Sequence, residues 1–281
     1  MGLLARRWGL GDVGVVADVG CGVGHWGRVL FPHLGGGGRL VGIDREGEWV
    51  GRAREMFREV FPGAVAAGRV EFRTGDVLGL DVAGDSFDVV TCQTLLMHLA
   101  EPGRGLAEMI RVTKPGGLVV CVEPSNLFNL TAFDSVAAEQ DTETLVRRFE
   151  FWLRYQRGRA ALGLGDISIG EALPGMFARA GLTDVRVWLR DTAFPVLAPY
   201  ASAEQRATLE SVRAWEDEET GPWNRDQLRR YLLAGGGSEA MLDAQIAALR
   251  ADADRARDAI ARGEYHCAGG AVVYVVSGRK P

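Results

Sequence analysis

The chain has 281 residues, 47% of them hydrophobic and 25% charged, with 32 Lys+Arg against 37 Asp+Glu and a net charge of −5. These numbers suit a soluble globular chain of one domain with insertions, or one domain plus a small helical cap. They argue against a nucleic-acid partner, which calls for a basic face, and no apolar run approaches the length of a membrane span.

Met1–Arg7 holds too few apolar residues for a signal-peptide core. Four cysteines without a CxxC pair point to reduced thiols and a cytoplasmic location. Cys21, Cys92 and Cys121 read as small buried hydrophobes. A first strand is expected over Val15–Val19. It leads through Asp18 into a loop, Gly20-Cys21-Gly22-Val23-Gly24, and a helix from His25 to Phe31. Glycines there allow positive φ and close approach of backbone N–H groups to a ligand, and the helix start favours an anionic group. His25 and His33 read as surface residues and Trp26 as core. Gly35–Gly38 is a turn before a second strand, Leu40–Ile43, which ends in Asp44. A helix over Glu48–Phe61 is stopped by Pro62-Gly63.

Strand three, Val70–Arg73, leads to Asp76-Val77, and strand four, Asp88–Cys92, is introduced by the pair Phe87-Asp88. A helical region starts at Leu95–Leu99, and a helix over Gly105–Val112 ends at Lys114-Pro115. The turn Lys114-Pro115-Gly116-Gly117 feeds strand five, Leu118–Val122. The alternation then breaks. A long helical stretch is expected over Thr131–Leu162, with Phe149, Trp152, Leu153 and Tyr155 clustered in it and Arg147, Arg148, Arg154, Arg157 and Arg159 as a solvated face. A helix over Ile169–Ala180 leads to strand six, Val185–Leu189. Three more helices follow: Ala203–Glu218, Arg225–Leu233 and Glu239–Arg262, the last amphipathic and capped by Ser238. The final strand, Val272–Val276, is expected to return to the sheet edge.

Gly22-Val23-Gly24-His25-Trp26-Gly27 also reads as GxGxxG, with the acid Asp44 about twenty residues on, which is a dinucleotide signature. Because Asp44 ends an apolar strand, its carboxylate can accept hydrogen bonds from both hydroxyls of a ribose. The acid-apolar end of strand three, the aromatic-acid opening of strand four and the Lys-Pro-Gly-Gly turn point elsewhere.

Taken together at this spacing, these segments resemble the class I S-adenosylmethionine-dependent methyltransferases. The resemblance is close over about residues 13–124 and weaker at Leu173–Trp188 and Ala271–Ser277. It implies an α/β fold, a doubly wound and mostly parallel seven-stranded Rossmann-like sheet with helical insertions after strands five and six. Residues 1–124, 169–190 and 265–281 would form the core, 125–168 a lid and 191–264 a helical cap. The implied cofactor is S-adenosylmethionine, with S-adenosylhomocysteine as its product. Gly20, Cys21, Gly22 and Gly24 would lie beside its amino-acid tail, and Asp18 would orient the loop or the tail ammonium. Asp44 would take the ribose and Asp76 the adenine amine, with Val77 on the ring. Gln93 would contact the tail or the acceptor, or cap the following helix.

Cys92-Gln93-Thr94 lacks the Asn/Asp-Pro-Pro-aromatic signature of enzymes that methylate nucleobase or glutamine amines. A small-molecule acceptor methylated on N or O, less readily on C, is therefore expected. His98 and Glu123 are candidate bases, needed only for a neutral hydroxyl or a protonated amine. The other reading of His98 is a buried histidine bonded to backbone. The acids and asparagine of catechol-type relatives are not reproduced, so no metal constellation is visible. Two further functions stay open, a non-catalytic S-adenosylmethionine-binding regulatory partner and an NAD-dependent oxidoreductase. The intact loop with both Asp44 and Asp76 favours the enzyme.

Overall fold

The computed structural model describes residues 1–130, 134–191, 193–214 and 224–281. It divides into two units, one of Met1–Pro124, Ile169–Leu189 and Val273–Pro281, the other of Ser125–Ser168 and Arg190–Val272.

The first unit is built on a sheet of β1 (Val15–Val19), β2 (Arg39–Asp44), β3 (Val70–Thr74), β4 (Phe87–Gln93), β5 (Thr113–Pro124), β6 (Thr183–Leu189) and β7 (Val273–Arg279). Its order is β3-β2-β1-β4-β5-β7-β6. β1 to β5 run parallel, whereas β7 is antiparallel to both β5 and β6. The central strands are apolar on both faces because helices cover both. Val16, Ala17, Val19, Leu40, Val90, Val119 and Cys121 are buried accordingly. Helix Gly47–Val60 buries Val50, Ala53 and Phe57, and the Phe57 ring lies 4.9 Å from that of Phe72 on β3. Helix Pro102–Val112 buries Leu106, Met109 and Val112.

Strand order reverses between β1 and β4, and in such sheets ligands bind at the carboxyl ends beside that reversal. The opposite end is held by Asp88. One of its oxygens accepts the N–H groups of Gly14 and Val15 at 3.0 and 2.8 Å, and the other meets Lys114 Nζ at 2.6 Å. Partial burial opposes its charge, but Lys114 and the two N–H groups outweigh that and hold the carboxyl below its usual range. Arg69 clamps the turn before β2, donating to Gly35 O and Gly38 O at 2.6 and 2.9 Å.

In the second unit, helix Thr142–Ala161 packs on helix Arg225–Ala234. Phe151, Trp152, Tyr155, Leu228, Tyr231, Leu232, Leu242 and Ile246 form its core. The Tyr155 and Tyr231 rings meet edge-on at 5.2 Å. The helices approach this closely because Gly158 and Gly235 face the partner backbone: a Cβ on Gly158 would fall on the Tyr231 carbonyl, and one on Gly235 on that of Arg154. Helix Glu239–Arg262 starts at Ser238, whose hydroxyl accepts from Met241 N, and ends at Gly263 in the left-handed region. Among the described residues, no helix is long and apolar enough to cross a membrane.

Several sequence expectations are corrected. The final strand is not at the edge: β7 lies between β5 and β6, with Val275, Val276 and Ser277 buried, and β6 is the exposed edge. The long helix begins at Thr142, because the Asp141 carboxylate caps it through Thr144 N at 2.8 Å. Of the expected residues before it, 131–133 lie outside the described ones, and Ala137–Glu139 is a separate helical turn. The segment expected as one helix from Ile169 splits into a 3-10 turn, Ile169–Ala172, and a helix, Leu173–Arg179, with Pro174 in its first turn. The helix from Ala203 is described to Ala214, and Trp215–Glu218 fall outside the described residues.

Because the contact at Gly158 is backbone on backbone, Gly158→Ala must push two helices apart. We expect a loss of about 1–3 kcal/mol, the usual range for overpacking, or more, measured by urea unfolding followed through the aromatic near-UV circular dichroism. Wild-type stability in this variant would show that the helices separate without cost.

Candidate active site

β1 ends in the loop Gly20–Gly24, where Gly20, Gly22 and Gly24 take φ of +67°, +51° and +85°. These values place all three in the left-handed region that only glycine occupies freely. The loop closes on itself through Gly24 N to Cys21 O at 2.8 Å and is otherwise fastened to β2. Gly20 N and Cys21 N both donate to Ile43 O, at 2.7 and 3.1 Å. Gly22 N donates to Asp44 Oδ2 at 2.8 Å, and the other oxygen of Asp44 accepts Glu46 N at 3.0 Å. The Asp44 carbonyl in turn accepts Gly75 N at 2.9 Å, next to Asp76. The three segments carrying the expected glycines, Asp44 and Asp76 are thereby brought together at one edge of the sheet.

Asp76 is exposed and closes its own turn, its Oδ1 accepting Leu78 N at 2.9 Å. Val77 is buried. A Cβ on Gly22 would meet nothing within 4 Å, so its open side is available to a ligand, whereas one on Gly24 would strike Met56 Cε at 2.9 Å. Gly24 therefore serves the packing of helix Gly47–Val60 as well as the turn. Cys21 is buried, and burial first, then the charges of Asp18 and Asp44, drive its thiol far from ionisation.

Asp18 is buried beneath the loop. Its Oδ2 accepts Gly27 N at 3.0 Å, holding the start of helix His25–Leu30, and its Oδ1 is buried without a hydrogen-bond partner. Burial raises its carboxyl to about 7; the Gly27 N–H opposes this and the Asp44 charge adds to it. Trp26 is core as expected, with Nε1 donating to Thr91 Oγ1 at 3.0 Å.

The two candidate bases differ in exposure. His98 is exposed rather than buried, at the end of a 3-10 turn, Leu96–His98, that buries Leu96 and Met97 instead. Glu123 is fully buried. Its Oε1 accepts Leu95 N and Leu96 N at 2.9 and 2.8 Å, and its Oε2 is buried without a hydrogen-bond partner. Burial raises this carboxyl to about 7 against the pull of those N–H groups. Gln93, half-buried, ends β4 beside this turn, and the next residue, Thr94, has φ +51°. That strained β-branched residue is the feature that sequence reading missed, because nothing in Gln93-Thr94-Leu95 announces a left-handed backbone.

A sequence profile described as a methyltransferase domain matches residues 12–164, more than half of the chain. The chain belongs to the methyltransferase-domain family. Its sheet is that of the class I S-adenosylmethionine-dependent methyltransferases. An uncharacterised methyltransferase of Schizosaccharomyces pombe is 36% identical over 109 residues, 38% of this chain and 39% of that protein. A demethylmenaquinone methyltransferase of Desulfitobacterium hafniense is 32% identical over 175 residues, 61% and 66% of the two chains. This family member thus spans between two fifths and two thirds of those relatives' lengths. Among solved structures, the YcgJ protein of Bacillus subtilis superposes with a TM-score of 0.54 at 20% identity, covering 99% of this chain and 97% of that one.

The buried acids give the unliganded protein a testable pH dependence. Folding raises the Asp18 carboxyl from 3.8 to about 7, so across that interval the folded chain holds a proton that the unfolded chain has released. The stability it contributes is full below the lower value and is lost as pH rises to the upper one. Asp18→Asn, which keeps an oxygen for Gly27 N, should flatten the fall in unfolding free energy between about pH 4 and about pH 7. Equal slopes in wild type and variant would contradict this.

Proposed function

We propose that this chain transfers a methyl group from S-adenosylmethionine to an N or O nucleophile of a small molecule, with Gly20–Gly24, Asp18, Asp44, Asp76, Val77 and Gln93 holding the cofactor. The observation that carries the reading is the Asp44 carboxylate, fixed at the end of β2 by Gly22 N and Glu46 N beside the strand-order reversal. Each Asp44 oxygen accepts one N–H here and retains capacity for a second donor, as binding to ribose hydroxyls requires. Two further features fit the cofactor. The open side of Gly22 leaves room for it, and the unpartnered Asp18 Oδ1 is an acceptor for an ammonium, directly or through water.

When bound, S-adenosylmethionine supplies an electrophilic methyl group on a sulfonium, a good leaving group whose in-line displacement calls for positioning and exclusion of water. Asp44 orients the ribose, Asp76 accepts from the adenine amine, and the glycine loop brings its backbone alongside the tail. Of the two candidate proton acceptors, His98 is exposed and Glu123 is fully buried, which favours His98 if a base is used. The absence of an Asn/Asp-Pro-Pro-aromatic sequence at Cys92-Gln93-Thr94 supports a small-molecule acceptor, as does the name of the demethylmenaquinone methyltransferase relative.

Isothermal titration with S-adenosylhomocysteine and, in parallel, NAD tests the cofactor. We expect binding of the first alone, weakened by roughly 1.5–3 kcal/mol in Asp44→Ala, the usual cost of hydrogen bonds to a charged group. Gly22→Val, forced into φ +51°, should abolish it. Undiminished binding in Asp44→Ala would place the ribose elsewhere, and binding of NAD alone would restore the dehydrogenase. Incubation with methyl-labelled cofactor and fractionated cell extract then reads out the acceptor; no transferred label would favour the regulatory alternative.

His98 is tested separately. Since it is exposed, His98→Asn should change stability by no more than about 0.5 kcal/mol. With positioning carrying most of the rate, turnover should stay within about tenfold of wild type. A drop of about 10²–10⁴-fold at unchanged stability would make it the general base.

A further inference from the structure

Glu123, Leu95 and Gly20 form a contact chain across the carboxyl edge of the first unit. Glu123 Oε1 accepts Leu95 N and Leu96 N at 2.9 and 2.8 Å. Thr94, at φ +51°, is held from the same strand, since its N–H donates to Val122 O at 2.9 Å. A threonine in this conformation is strained and persists only where its surroundings over-determine it. The turn so fixed aims the Leu95 side chain at the glycine loop: a Cβ on Gly20 would lie 2.6 Å from Leu95 Cδ1 and 2.9 Å from Cδ2. The absence of a side chain at Gly20 is what admits Leu95. Gly20 itself bonds through its N–H to Ile43 O, one residue before Asp44.

A buried carboxyl with one oxygen unpartnered is an expensive way to close a turn. An apolar side chain would fill the same space but could not accept two backbone N–H groups, and the turn would lose the two bonds that fix Leu95 and Leu96 to β5. We propose that Glu123 is a positioning residue: by pinning the turn after β4 it seats Leu95 against Gly20 and fixes the glycine loop in the form that binds the cofactor. The cofactor half of this statement rests on the function proposed above; the structural half does not. Glu123 acts through Leu95, touching neither cofactor nor acceptor, so its effect is on affinity for the cofactor.

The test uses the full chain without ligand first. Hydrogen exchange is measured on peptides covering residues 20–24, in which the amides of Gly20, Cys21, Gly22 and Gly24 are held by Ile43, Asp44 and Cys21. Leu95→Ala should speed that exchange at least tenfold while leaving the amides of Leu95 and Leu96 protected by Glu123. Glu123→Ala should speed both, and Glu123→Gln, which keeps an oxygen for the two N–H groups, should restore both to within threefold of wild type. In titration with S-adenosylhomocysteine, Leu95→Ala and Glu123→Ala should lose at least tenfold in affinity and Glu123→Gln no more than threefold. Should Glu123→Ala not fold, Leu95→Ala and Glu123→Gln decide. Unchanged loop exchange in Leu95→Ala, or a glutamine variant as impaired as the alanine one, overturns the proposal. A wild type that ignores S-adenosylhomocysteine overturns the cofactor reading instead, and the loop exchange still judges the contact chain.

Discussion

The candidate site depends on one short bond, from Gly22 N to the Asp44 carboxylate. A loop with three residues at positive φ has little secondary structure of its own to hold it, so its shape is borrowed from β2. Asp44 lends that shape twice, through its side chain to the loop after β1 and through its carbonyl to Gly75 in the segment after β3. Three loops that sequence would allow to wander separately thus share one anchor. Since Asp44 is itself the last residue of a central strand, the anchor is as rigid as the sheet.

Beneath this edge lie two carboxyls that stability alone does not explain. Asp18 and Glu123 each spend one oxygen on backbone N–H groups of a helix start or turn and leave the other buried and unmatched. Burying a polar atom without a partner costs on the order of 1–3 kcal/mol. Both acids hold the segment that follows a central strand at its carboxyl end, Asp18 after β1 and Glu123 after β4. The cost sits where loop geometry matters and is absent from the sheet's opposite end, where Asp88 has a partner on each oxygen.

Legibility from sequence followed how directly a residue's burial is written in its neighbours. β1, β2 and β4 are built around the apolar runs Val15–Ala17, Leu40–Ile43 and Val89-Val90, as strands covered on both faces require. The same logic, applied to Val273-Tyr274-Val275-Val276, marks an interior strand. The charged residues Asp184 and Arg186 on either side of Val185 mark an edge, and reading β7 as the edge overlooked that contrast. His98 was misplaced because Leu95-Leu96-Met97-His98-Leu99 is apolar nearly throughout. In a 3-10 turn, with three residues per turn rather than 3.6, Leu96 and Met97 go inward and His98 outward. The burial of Glu123 was not legible because an acid at a strand end resembles Asp44, yet the buried run of β5 continues through Pro124. The helix break at Asp141 was legible in principle, since Asp-Thr-Glu-Thr is a capping sequence.

The position of β7 also bears on how the protein is made. Its neighbours in the sheet, β5 and β6, end at Pro124 and Leu189, but β7 begins only at Val273. On a chain emerging from the ribosome N-terminus first, β3, β2, β1, β4 and β5 can pair as they appear, with the whole glycine-loop edge among them. β6 has no partner until β7 arrives, and β5 keeps an open edge for roughly 150 residues of synthesis, during which any extended segment could pair with it wrongly. Newly made chains should therefore pass through a stage in which the half of the sheet that carries the glycine loop is complete and the other half is still vulnerable to aggregation.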